Sequence, residues 1–456
     1  MVQKPSIPKG TRDFLPADVA RQSYVSEIIK AQFERYGFLP IQTPSMEKTS
    51  TLQGKYGEEG DRLMFHILNS GEKIKKADLD AFEDNKLGRF TQSISEKALR
   101  YDLTVPFARF VAQHQNELAF PFKRYQIQTV WRADRPQRGR FQEFTQCDAD
   151  VVGPIGPVFE AECIQLFDDV FNDLSLTGCT IRINHREILA GIAAYLDAPD
   201  QIVDFTIALD KLDKIGVEGV FDELRQKGFE EDSFSKLGPL LELSGTFLEQ
   251  LDALEQMLTA HPDALAGIAH LRKVLAFVSP LQVSHLAFDL TLARGLNYYT
   301  GVIFEVAPPK SVVMGSIGAG GRYDNLTALF GLNGMNGLGI SFGLDRLCLV
   351  LDELRLFPKR LTQAIDVVVL HFGDDYMSEM MPYVSSWRAA GLRVVCYPTD
   401  QKLKKQLNYA NQVDAPWVVF FGEEEKEKGV VSLKNMMTGE DQFIKPEALV
   451  VRLQST

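Results

Sequence analysis

The sequence has few cysteines, and none of them forms a recognisable pair. Its 456 residues include five, and no two have the CxxC spacing. A small fold stapled by disulfides and a zinc site built on paired cysteines are therefore excluded. The scarcity is typical of a protein from a reducing compartment. The five are Cys147, Cys163, Cys179, Cys348 and Cys396.

Long apolar runs and an excess of basic charge are also missing. No uninterrupted apolar run comes near the roughly 18 residues that cross a bilayer, and the first residues lack the apolar stretch of a signal peptide. We therefore expect a cytoplasmic protein without a membrane span. Asp and Glu number 61 against 49 Lys and Arg, a net charge of −12. This balance argues against a protein that coats nucleic acid along its whole surface.

The sequence pattern changes along the chain, which is long enough for several domains. Apolar spacing predicts a helix over 18–36 that stops at Gly37. Segment 69–95 is polar and mixed in charge, which favours an exposed flap or hairpin. Helical spacing dominates later, and the last residues alternate strand and helix as in a small α/β domain. The predicted division is 1–186 and 281–357 as two parts of one domain, 187–280 as a helical insertion, 358–363 as a linker and 364–456 as a C-terminal domain.

The common glycine-rich phosphate loops are absent. No GxxxxGK[ST] occurs, and GSIGAGGRYD and GLGISFG only approach GxGxxG without the strand and helix that should flank it. By themselves these glycines indicate turns. A nucleotide site, if present, has to be built in another way.

A polar hairpin is the most informative local pattern. Strand-like alternation over 123–152 places three arginines, a phenyl ring, amides and carboxylates on one face. Guanidinium groups fork onto phosphates and a phenyl ring offers a stacking plane, so this face suits a nucleotide. A solvated sheet face with incidental ion pairs explains the alternation equally well. The residues on this face are Arg124, Gln126, Gln128, Val130, Arg132, Arg140, Gln142, Phe144, Gln146, Asp148 and Asp150.

The tip of this hairpin is locally basic. Residues 121–140 contain six Lys and Arg against one acid, Asp134, a local charge of +5. A contact with a polyanion is one reading of the DRPQRGR loop, and a solvated tip is the other. Elsewhere, Thr104 is expected to cap a helix, and Arg294 and Arg346 stand beside glycines. Each arginine taken alone is more typical of a surface ion pair.

Taken in order, these motifs resemble the histidyl-tRNA synthetases, a family of class II aminoacyl-tRNA synthetases. Helix 18–36 with TPSME resembles motif 1, WRADRPQRGRFQEF resembles motif 2 and GLGISFGLDRL resembles motif 3. LARGLNYYTGVIFEV and GAGGRYDNL are similar to the two histidine signatures. The resemblance implies an α+β catalytic domain on an antiparallel sheet, a helical insertion domain and a C-terminal α/β anticodon-binding domain.

The resemblance also implies an activity. L-Histidine is activated with ATP to histidyl-adenylate and pyrophosphate, and is then transferred to the 3′ end of tRNA(His). Mg²⁺ accompanies ATP without an expected protein ligand, and motif 1 forms a homodimer. The alternative is a catalytically inert regulatory or tRNA-sensing relative. Such relatives lose the C-terminal domain or motif residues, whereas both are present here.

Site residues follow from the resemblance position by position. For ATP they are Arg132 on the α-phosphate, Arg140 and Arg346 on the outer phosphates, Phe144 on adenine, and Asp134 where the family usually has Glu. For histidine they are Asp102, Thr104 and Gln146 at the α-amino group, and Asp150 and Tyr299 at the imidazole, with Tyr298 and Tyr323 nearby. Arg294 and Arg132 are the expected catalytic residues. Asp150 replaces a Glu found in many relatives.

Contacts with tRNA are expected at two basic tracts. The hairpin tip offers Arg135, Gln137 and Arg138, and the C-terminal segment offers Lys404 and Lys405. We also expect segment 69–95 to form a mobile flap near the histidine pocket.

Overall fold

The computed structural model describes residues 4–293, 298–358 and 361–454, and the chain divides into two compact units. The first unit ends at Phe357 and the second begins at Pro358. Residues 187–280 belong to the same compact unit as the residues on either side. The finer division of the first unit into domains stays a prediction.

The first unit contains strands β1 to β11. They are β1 (Leu39–Pro40), β2 (Met46–Lys48), β3 (His66–Ile67), β4 (Lys97–Leu99), β5 (Phe122–Trp131), β6 (Glu143–Gly153), β7 (Thr180–His185), β8 (Leu286–Phe288), β9 (Val302–Ala307), β10 (Gly318–Arg322) and β11 (Asn336–Gly343).

Helices α1 to α14 belong to the same unit. They are α1 (Pro16–Arg35), α2 (Thr49–Leu52), α3 (Gly57–Arg62), α4 (Leu79–Glu83), α5 (Leu87–Ile94), α6 (Thr104–His114), α7 (Pro157–Asp173), α8 (Arg186–Tyr195), α9 (Ile202–Leu209), α10 (Leu212–Gln226), α11 (Glu231–Leu241), α12 (Phe247–Met257), α13 (Pro262–Val278) and α14 (Leu344–Glu353).

One large sheet organises this unit. Its strand order is β1-β5-β6-β11-β10-β9-β7-β8, and every pair from β5 to β7 is antiparallel. The predicted fold class is confirmed, with one correction: the sheet is mixed, because β1 pairs parallel with β5 and β8 parallel with β7. A second, three-stranded sheet has the order β2-β4-β3.

The two faces of the large sheet differ in chemistry because side chains alternate along each strand. On one face Cys147, Ala149 and Val151 of β6 join the main apolar core. The rings of Phe167 and Phe342 lie 4.9 Å apart in that core, so α7 covers this face. The opposite face carries the polar residues of β6 and forms the floor of a site.

Helix α1 begins and ends where its sequence directs. Pro16 occupies its first turn, and the Asp18 carboxylate accepts a hydrogen bond from the backbone N–H of Leu15 at 3.1 Å. Gly37 follows the helix with φ of +76°, a conformation that favours glycine. Ile29 and Phe33, one turn apart, are fully buried. The predicted helix 18–36 is confirmed within two residues.

Segment 69–95 differs from the prediction of a hairpin. It forms a 3-10 helix over Gly71–Lys76 followed by α4 and α5. Asp78 accepts from the backbone N–H of Ala81 at 3.0 Å and so caps α4. The hairpin does not form because the segment lacks the period-2 alternation that two paired strands need.

Helix α13 is long and strongly apolar. Among the described residues, one helix, Pro262–Leu281, has the length and composition needed to cross a membrane, with a mean hydropathy of 1.3. Within the fold, Ala264, Ile268 and Leu271 of this helix are buried in the main core. Core helices of globular proteins have the same composition.

The second unit has its own sheet, with the order β13-β12-β14-β15-β16. The first three of these strands run parallel and the last two pairs are antiparallel. The predicted strand and helix alternation is confirmed. The elements are β12 (Val367–Val369), α15 (Asp374–Ala389), β13 (Val394–Cys396), α16 (Leu403–Gln412), β14 (Trp417–Phe420), α17 (Glu423–Lys428), β15 (Val431–Asn435), β16 (Asp441–Ile444) and α18 (Leu449–Gln454).

Candidate active site

The polar faces of β5 and β6 lie directly against each other. Their register pairs Arg124 with Asp150, Gln126 with Asp148, and Gln128 with Gln146. Nη2 of Arg124 lies 2.7 Å from Oδ2 of Asp150, and both side chains are buried. A solvated sheet face with incidental ion pairs is therefore wrong. Buried charges and amides at this density mark a built polar site.

Asp150 is held by groups from three strands. Besides Arg124 on β5, the hydroxyl of Tyr323, just after β10, donates to Oδ1 of Asp150 at 2.6 Å. On β11, a Cβ at Gly339 would lie 2.0 Å from the same oxygen, so only glycine fits there. Burial raises the pKa of Asp150, an effect that the Arg124 charge opposes.

Asp102, just before α6, accepts hydrogen bonds from two tyrosine hydroxyls. Tyr56 donates to its Oδ1 at 2.8 Å and Tyr298 donates to its Oδ2 at 3.1 Å. The backbone N–H of Val105 also donates to Oδ1, at 3.2 Å. Asp102 therefore caps α6, and the expectation that Thr104 is the cap is corrected, because Thr104 is already the first helical residue. Burial raises the pKa of Asp102.

Three tyrosines line the space between Asp102 and Asp150. The ring centroids of Tyr298 and Tyr299 are 4.9 Å apart, and those of Tyr298 and Tyr323 are 6.0 Å apart. Burial raises the pKa of Tyr299, and the charges of Asp150 and of Asp148 on β6 raise it further. The three phenols thus stay protonated and can donate or accept hydrogen bonds beside the carboxylates.

Gln146 and Thr104 are the remaining described residues that the resemblance assigns to histidine. Nε2 of Gln146 donates to Oγ of Ser341 at 3.0 Å, which links β6 to β11. Thr104 is buried, and its hydroxyl interacts with that of Tyr298. The structure therefore brings together all described residues that the resemblance assigns to histidine, namely Asp102, Thr104, Gln146, Asp150, Tyr298, Tyr299 and Tyr323.

Arg132 lies at the other end of the β5–β6 hairpin, between two aromatic rings. Its guanidinium carbon is 4.4 Å from the ring centroid of Tyr101 and 5.2 Å from that of Phe144. Its Nε donates to the carbonyl of Tyr101 at 3.1 Å. This hydrogen bond and the two rings fix the position of the guanidinium.

The hairpin tip is tied to α14. Nε of Arg346 donates to the carbonyl of Gly139 at 2.7 Å, and Nη1 donates to that of Ser316 at 2.6 Å. Gly139 has φ of +70°, which lets the tip turn back toward β6. Arg140 approaches Asp134 across the tip at 3.8 Å. Four charged residues among those described are assigned to ATP by the resemblance. Three of them lie together at this tip: Asp134, Arg140 and Arg346.

Arg294 lies outside the described residues, but the segments on either side of it are firmly held. Nδ2 of Asn184 donates to the carbonyls of Leu290 and Leu292, each at 3.0 Å. The backbone N–H of Arg186 donates to the carbonyl of Gly301 at 2.9 Å. Residues at the end of β7 therefore hold the chain on either side of residues 294–297.

A buried network of charged and histidine side chains was not predicted from the sequence. The fully buried Glu160 of α7 accepts from Nη1 of Arg322 at 3.0 Å and lies 3.5 Å from Nε2 of His270. His270 contacts His185 at 3.1 Å, and Nδ1 of His185 accepts from the backbone N–H of Glu187 at 3.2 Å. The network joins α7, α8 and α13 to β10, next to Tyr323.

The predicted tRNA contacts are exposed side chains. Arg135, Gln137 and Arg138 lie at the hairpin tip, where Arg138 pairs with Glu353. Lys404 and Lys405 are exposed on α16 of the second unit. Among the described residues, no three His, Cys, Asp or Glu side chains form a group that could hold a metal ion.

Several residues of the site escaped the sequence assignment. Arg124 and Asp148 stand on the predicted polar face, so alternation alone signalled them. Tyr56 and Tyr101 carried no local signal, because their rings, 4.7 Å apart, reach the site from separate loops.

Comparisons with known proteins agree with this geometry. The sequence profile described as "Histidyl-tRNA synthetase" matches residues 80–347. The chain belongs to the histidyl-tRNA synthetase family. A profile described as "Anticodon binding domain" matches residues 366–456, the second compact unit. The enzyme class that this membership assigns is histidine–tRNA ligase, as the family resemblance implied.

Whole-length relatives support this family assignment. The histidine–tRNA ligase of Christiangramia forsetii is 54% identical over 442 residues, which cover 96% of this chain and 97% of the relative. That of Flavobacterium johnsoniae is 51% identical, with 98% and 99% covered. The crystal structure of the histidyl-tRNA synthetase from Nostoc sp. has a TM-score of 0.83 and 30% identity over 100% of both chains. The synthetase fold therefore extends over the whole length of this chain.

Proposed function

We propose that this chain activates L-histidine with ATP and transfers it to tRNA(His). The main observation behind the proposal is that two different groups of side chains occupy the two ends of one hairpin. Buried acceptors, including Asp150, occupy one end, and arginines and Phe144 occupy the other. Asp150 and Phe144 are six residues apart on β6, about 20 Å at 3.3 Å per residue, enough for an amino acid bound end to end with a nucleotide.

The arginine end takes ATP in this proposal. Arg132 contacts the α-phosphate, and Phe144, whose ring lies 5.2 Å from that guanidinium, stacks on adenine. Arg140 and Arg346 neutralise the outer phosphates, and Asp134 lies beside the adenine amino group. Arg346 is positioned for this role by its contacts with the carbonyls of Gly139 and Ser316. Guanidinium groups held in advance stabilise phosphate charge without further reorganisation.

The acceptor end takes histidine. Asp102, Thr104 and Gln146 hold the α-ammonium group, which offers donors only. Asp150 and Tyr299 contact the imidazole, with Tyr298 and Tyr323 closing the pocket. A site whose buried polar groups need partners rejects apolar amino acids of similar size, by about 10⁴ to 10⁵ in comparable enzymes.

Two chemical steps follow from these positions. In the first, the histidine carboxylate attacks the α-phosphorus, a new P–O bond forms, and the bond to the departing pyrophosphate breaks. In the second, a ribose hydroxyl at the 3′ end of the tRNA attacks the carbonyl carbon and AMP leaves. Arg132 and Arg294 offset the charge that builds up at phosphorus, so no protein nucleophile is required.

Mg²⁺ is proposed as a companion of ATP. The described part of the chain offers no group of three metal-ligating side chains, and Mg²⁺ is commonly held by substrate phosphates with few protein ligands. We place it on the outer phosphates of ATP, at the Arg140 and Arg346 end of the site. When bound, it supplies further positive charge to the outer phosphates.

The assembly and setting of the enzyme are also proposals. Motif 1 carries large exposed apolar side chains, including Leu15, Val19, Leu39 and Met46, which support a homodimer through α1 and β2. We place the enzyme in the cytoplasm. We retain the proposed domains, with 187–280 as the helical insertion, and assign Lys404 and Lys405 to the anticodon end of tRNA and the hairpin tip to its acceptor end.

Amino-acid-dependent ATP–pyrophosphate exchange tests the proposed function. Histidine alone among the amino acids should stimulate exchange, and Arg294→Ala should lower the rate while leaving ATP binding nearly unchanged. Arg225→Ala, on the distant surface of α10, is the matched control and should behave as wild type. Exchange with no amino acid would instead indicate the inert regulatory relative.

A further inference from the structure

The floor of the histidine pocket contains a carboxylate to which the family resemblance gives no role. Asp148 lies on β6 between Gln146 and Asp150, on the same face of the strand. Its side chain is 2% exposed, and Asp102 and Asp150 are equally buried. Three carboxylates are thus enclosed here, whereas the fully buried guanidinium that faces them from β5, that of Arg124, lies against Asp150.

The same floor has acceptors that lack donors. Oε1 of Gln126 and Oε1 of Gln146 are buried, and no group in the described part of the chain donates to either. The free donors nearby are Nε and Nη1 of Arg124, and that guanidinium covers the ring of Phe107 at 4.4 Å. A pocket rich in acceptors and poor in donors is complementary to a ligand that carries donors only.

Asp148 lies among both acidic and basic groups. Burial is the largest cause that raises the pKa of Asp148 to about 7; the charges of Asp150 and Asp102 act in the same direction, whereas the Arg124 charge and a hydrogen bond with Ser341 oppose the rise. Gln146 Nε2 approaches Asp148 Oδ1 at 3.5 Å. The titratable, charged and polar groups around Asp148 are Arg124 and Gln126 from β5, Gln146 and Asp150 from β6, Ser341 from β11, Arg100 and Asp102 from the segment between β4 and α6, and Tyr299.

We propose that Asp148 is the counter-ion of the substrate ring, so that the enzyme binds histidine with a proton on both imidazole nitrogens. The inference rests on the proposed function and specifies the protonation state of the substrate at that same site. An α-ammonium beside Asp102 and an imidazolium between Asp148 and Asp150 supply the donors that the floor lacks. Arg124 remains the partner of Asp150.

The protons balance in either starting state. If Asp148 is protonated in the free enzyme, its proton passes to the ring nitrogen on binding. If Asp148 is ionised, the proton is taken from solvent. In both cases the bound imidazole carries a proton on each nitrogen and Asp148 is ionised. This state has one proton more than ionised Asp148 with a neutral imidazole, and the ordinary pKa of imidazole is about 6.5.

Calorimetry of histidine binding to the full chain at pH 8, in buffers of different ionisation enthalpy, tests the proposal. Wild type should take up about one proton on binding, since free imidazole and Asp148 are both mostly deprotonated at that pH. Asp148→Asn should take up almost none. The α-ammonium contributes equally to both proteins, so the difference between them reports on Asp148.

A second measurement compares two ligands, and its result in wild type is informative without the variant, whatever the folding of Asp148→Asn. Histidine fluorinated on the ring has a far less basic imidazole of nearly the same shape. Wild type should bind it about 100-fold more weakly than histidine, because a site that requires a protonated ring loses a factor of ten in affinity for each unit by which the ring pKa falls. In Asp148→Asn the ratio of the two affinities should fall to about 3-fold. Asp366→Asn, in the second unit, is the control and should retain the wild-type ratio and proton uptake.

The outcomes separate this inference from the function on which it rests. Equal proton uptake by wild type and Asp148→Asn overturns the inference, and so does wild-type binding of the fluorinated ring as tight as that of histidine. A wild type that binds histidine and shows exchange in these cases still has the proposed function. A wild type that neither binds histidine nor shows histidine-dependent exchange overturns both.

Discussion

The hydroxyl of Tyr323 donates to Oδ1 of Asp150 at 2.6 Å, and this bond joins the second histidine signature to the motif 2 hairpin across 173 residues. The pair is buried together with Arg124, so each partner compensates the desolvation of the others. The carboxylate proposed to contact the imidazole is thus oriented before the substrate arrives.

Removing this hydroxyl should weaken histidine binding. We expect Tyr323→Phe to raise the KM for histidine about 5- to 30-fold, equivalent to about 1–2 kcal/mol, because a buried carboxylate loses a donor. The KM for ATP should stay at its wild-type value. Histidine-dependent pyrophosphate exchange measures both. Tyr24→Phe, which removes a hydroxyl from α1, is the control, and an equal rise in both KM values for Tyr323→Phe would contradict a specific role.

Two glycines of β11 form a matched pair for testing the pocket floor. A Cβ at Gly339 would lie 2.0 Å from Asp150 Oδ1, whereas the nearest atom to a Cβ at Gly343 is 3.8 Å away. Gly339→Ala should therefore displace Asp150 and lower the exchange rate at least about 100-fold, the size of effect expected from misplacing a binding group by about 1 Å. Gly343→Ala should remain close to wild type. Similar rates for the two variants would show that Asp150 is not held as described.

The buried His185 should make stability depend on pH. Burial is the largest cause that lowers the pKa of His185 to about 3, and the charges of the nearby His270 and Arg322 contribute to the same shift. In the unfolded chain the group takes up its proton below about pH 6.5, so the unfolded state binds more protons and stability falls as the pH falls from 6.5 toward 3. Between pH 7 and 5 this one group should cost about 2 kcal/mol.

Urea unfolding at pH 7 and pH 5, followed by circular dichroism, measures this dependence. His185→Asn should reduce the loss of stability by about 2 kcal/mol, since asparagine keeps an acceptor for the backbone N–H of Glu187 but cannot titrate. His285→Gln, at an exposed position, is the control. A variant at position 185 with the same pH dependence as wild type would refute the assignment.

The hairpin tip should contribute to tRNA affinity through charge. Arg135 is exposed there. Arg135→Gln should weaken tRNA binding and reduce the slope of log affinity against log salt by about 0.7 to 0.9, as expected for the loss of one phosphate contact. Pyrophosphate exchange without tRNA should not change. Lys30→Gln, on α1, serves as the control, and equal salt slopes for Arg135→Gln and wild type would exclude a phosphate contact.

Much of the site was readable in the sequence because strand alternation is a local property. The period of two in β6 placed Gln146, Asp148 and Asp150 on one face, and the register with β5 then brought Arg124 and Gln126 opposite them. The capping of α6 was misread, since Asp102 and Thr104 are both good caps and only the course of the chain shows which side chain reaches the free N–H groups.

Other features had no local signal at all. Tyr56 reaches Asp102 from 46 residues away, and Glu160, His185, His270 and Arg322 meet from four separate elements. Of these residues only Arg322 stands in a motif, GAGGRYDNL, and that motif does not indicate which residues it contacts. Their roles depend on how helices pack on the sheet, and no spacing along the chain records that packing.

The sequence by itself determined the family, the two-unit order of elements and the polar face of the hairpin, because periodicity, turn residues and motif spacing act between neighbours along the chain. Only the tertiary structure decided that Arg124, Gln126, Asp148 and Asp150 on this face are buried, and that Asp102 is buried with them from outside the hairpin. Burial is a property of what packs above a strand, and it is burial that turns an alternating pattern of charges into a site.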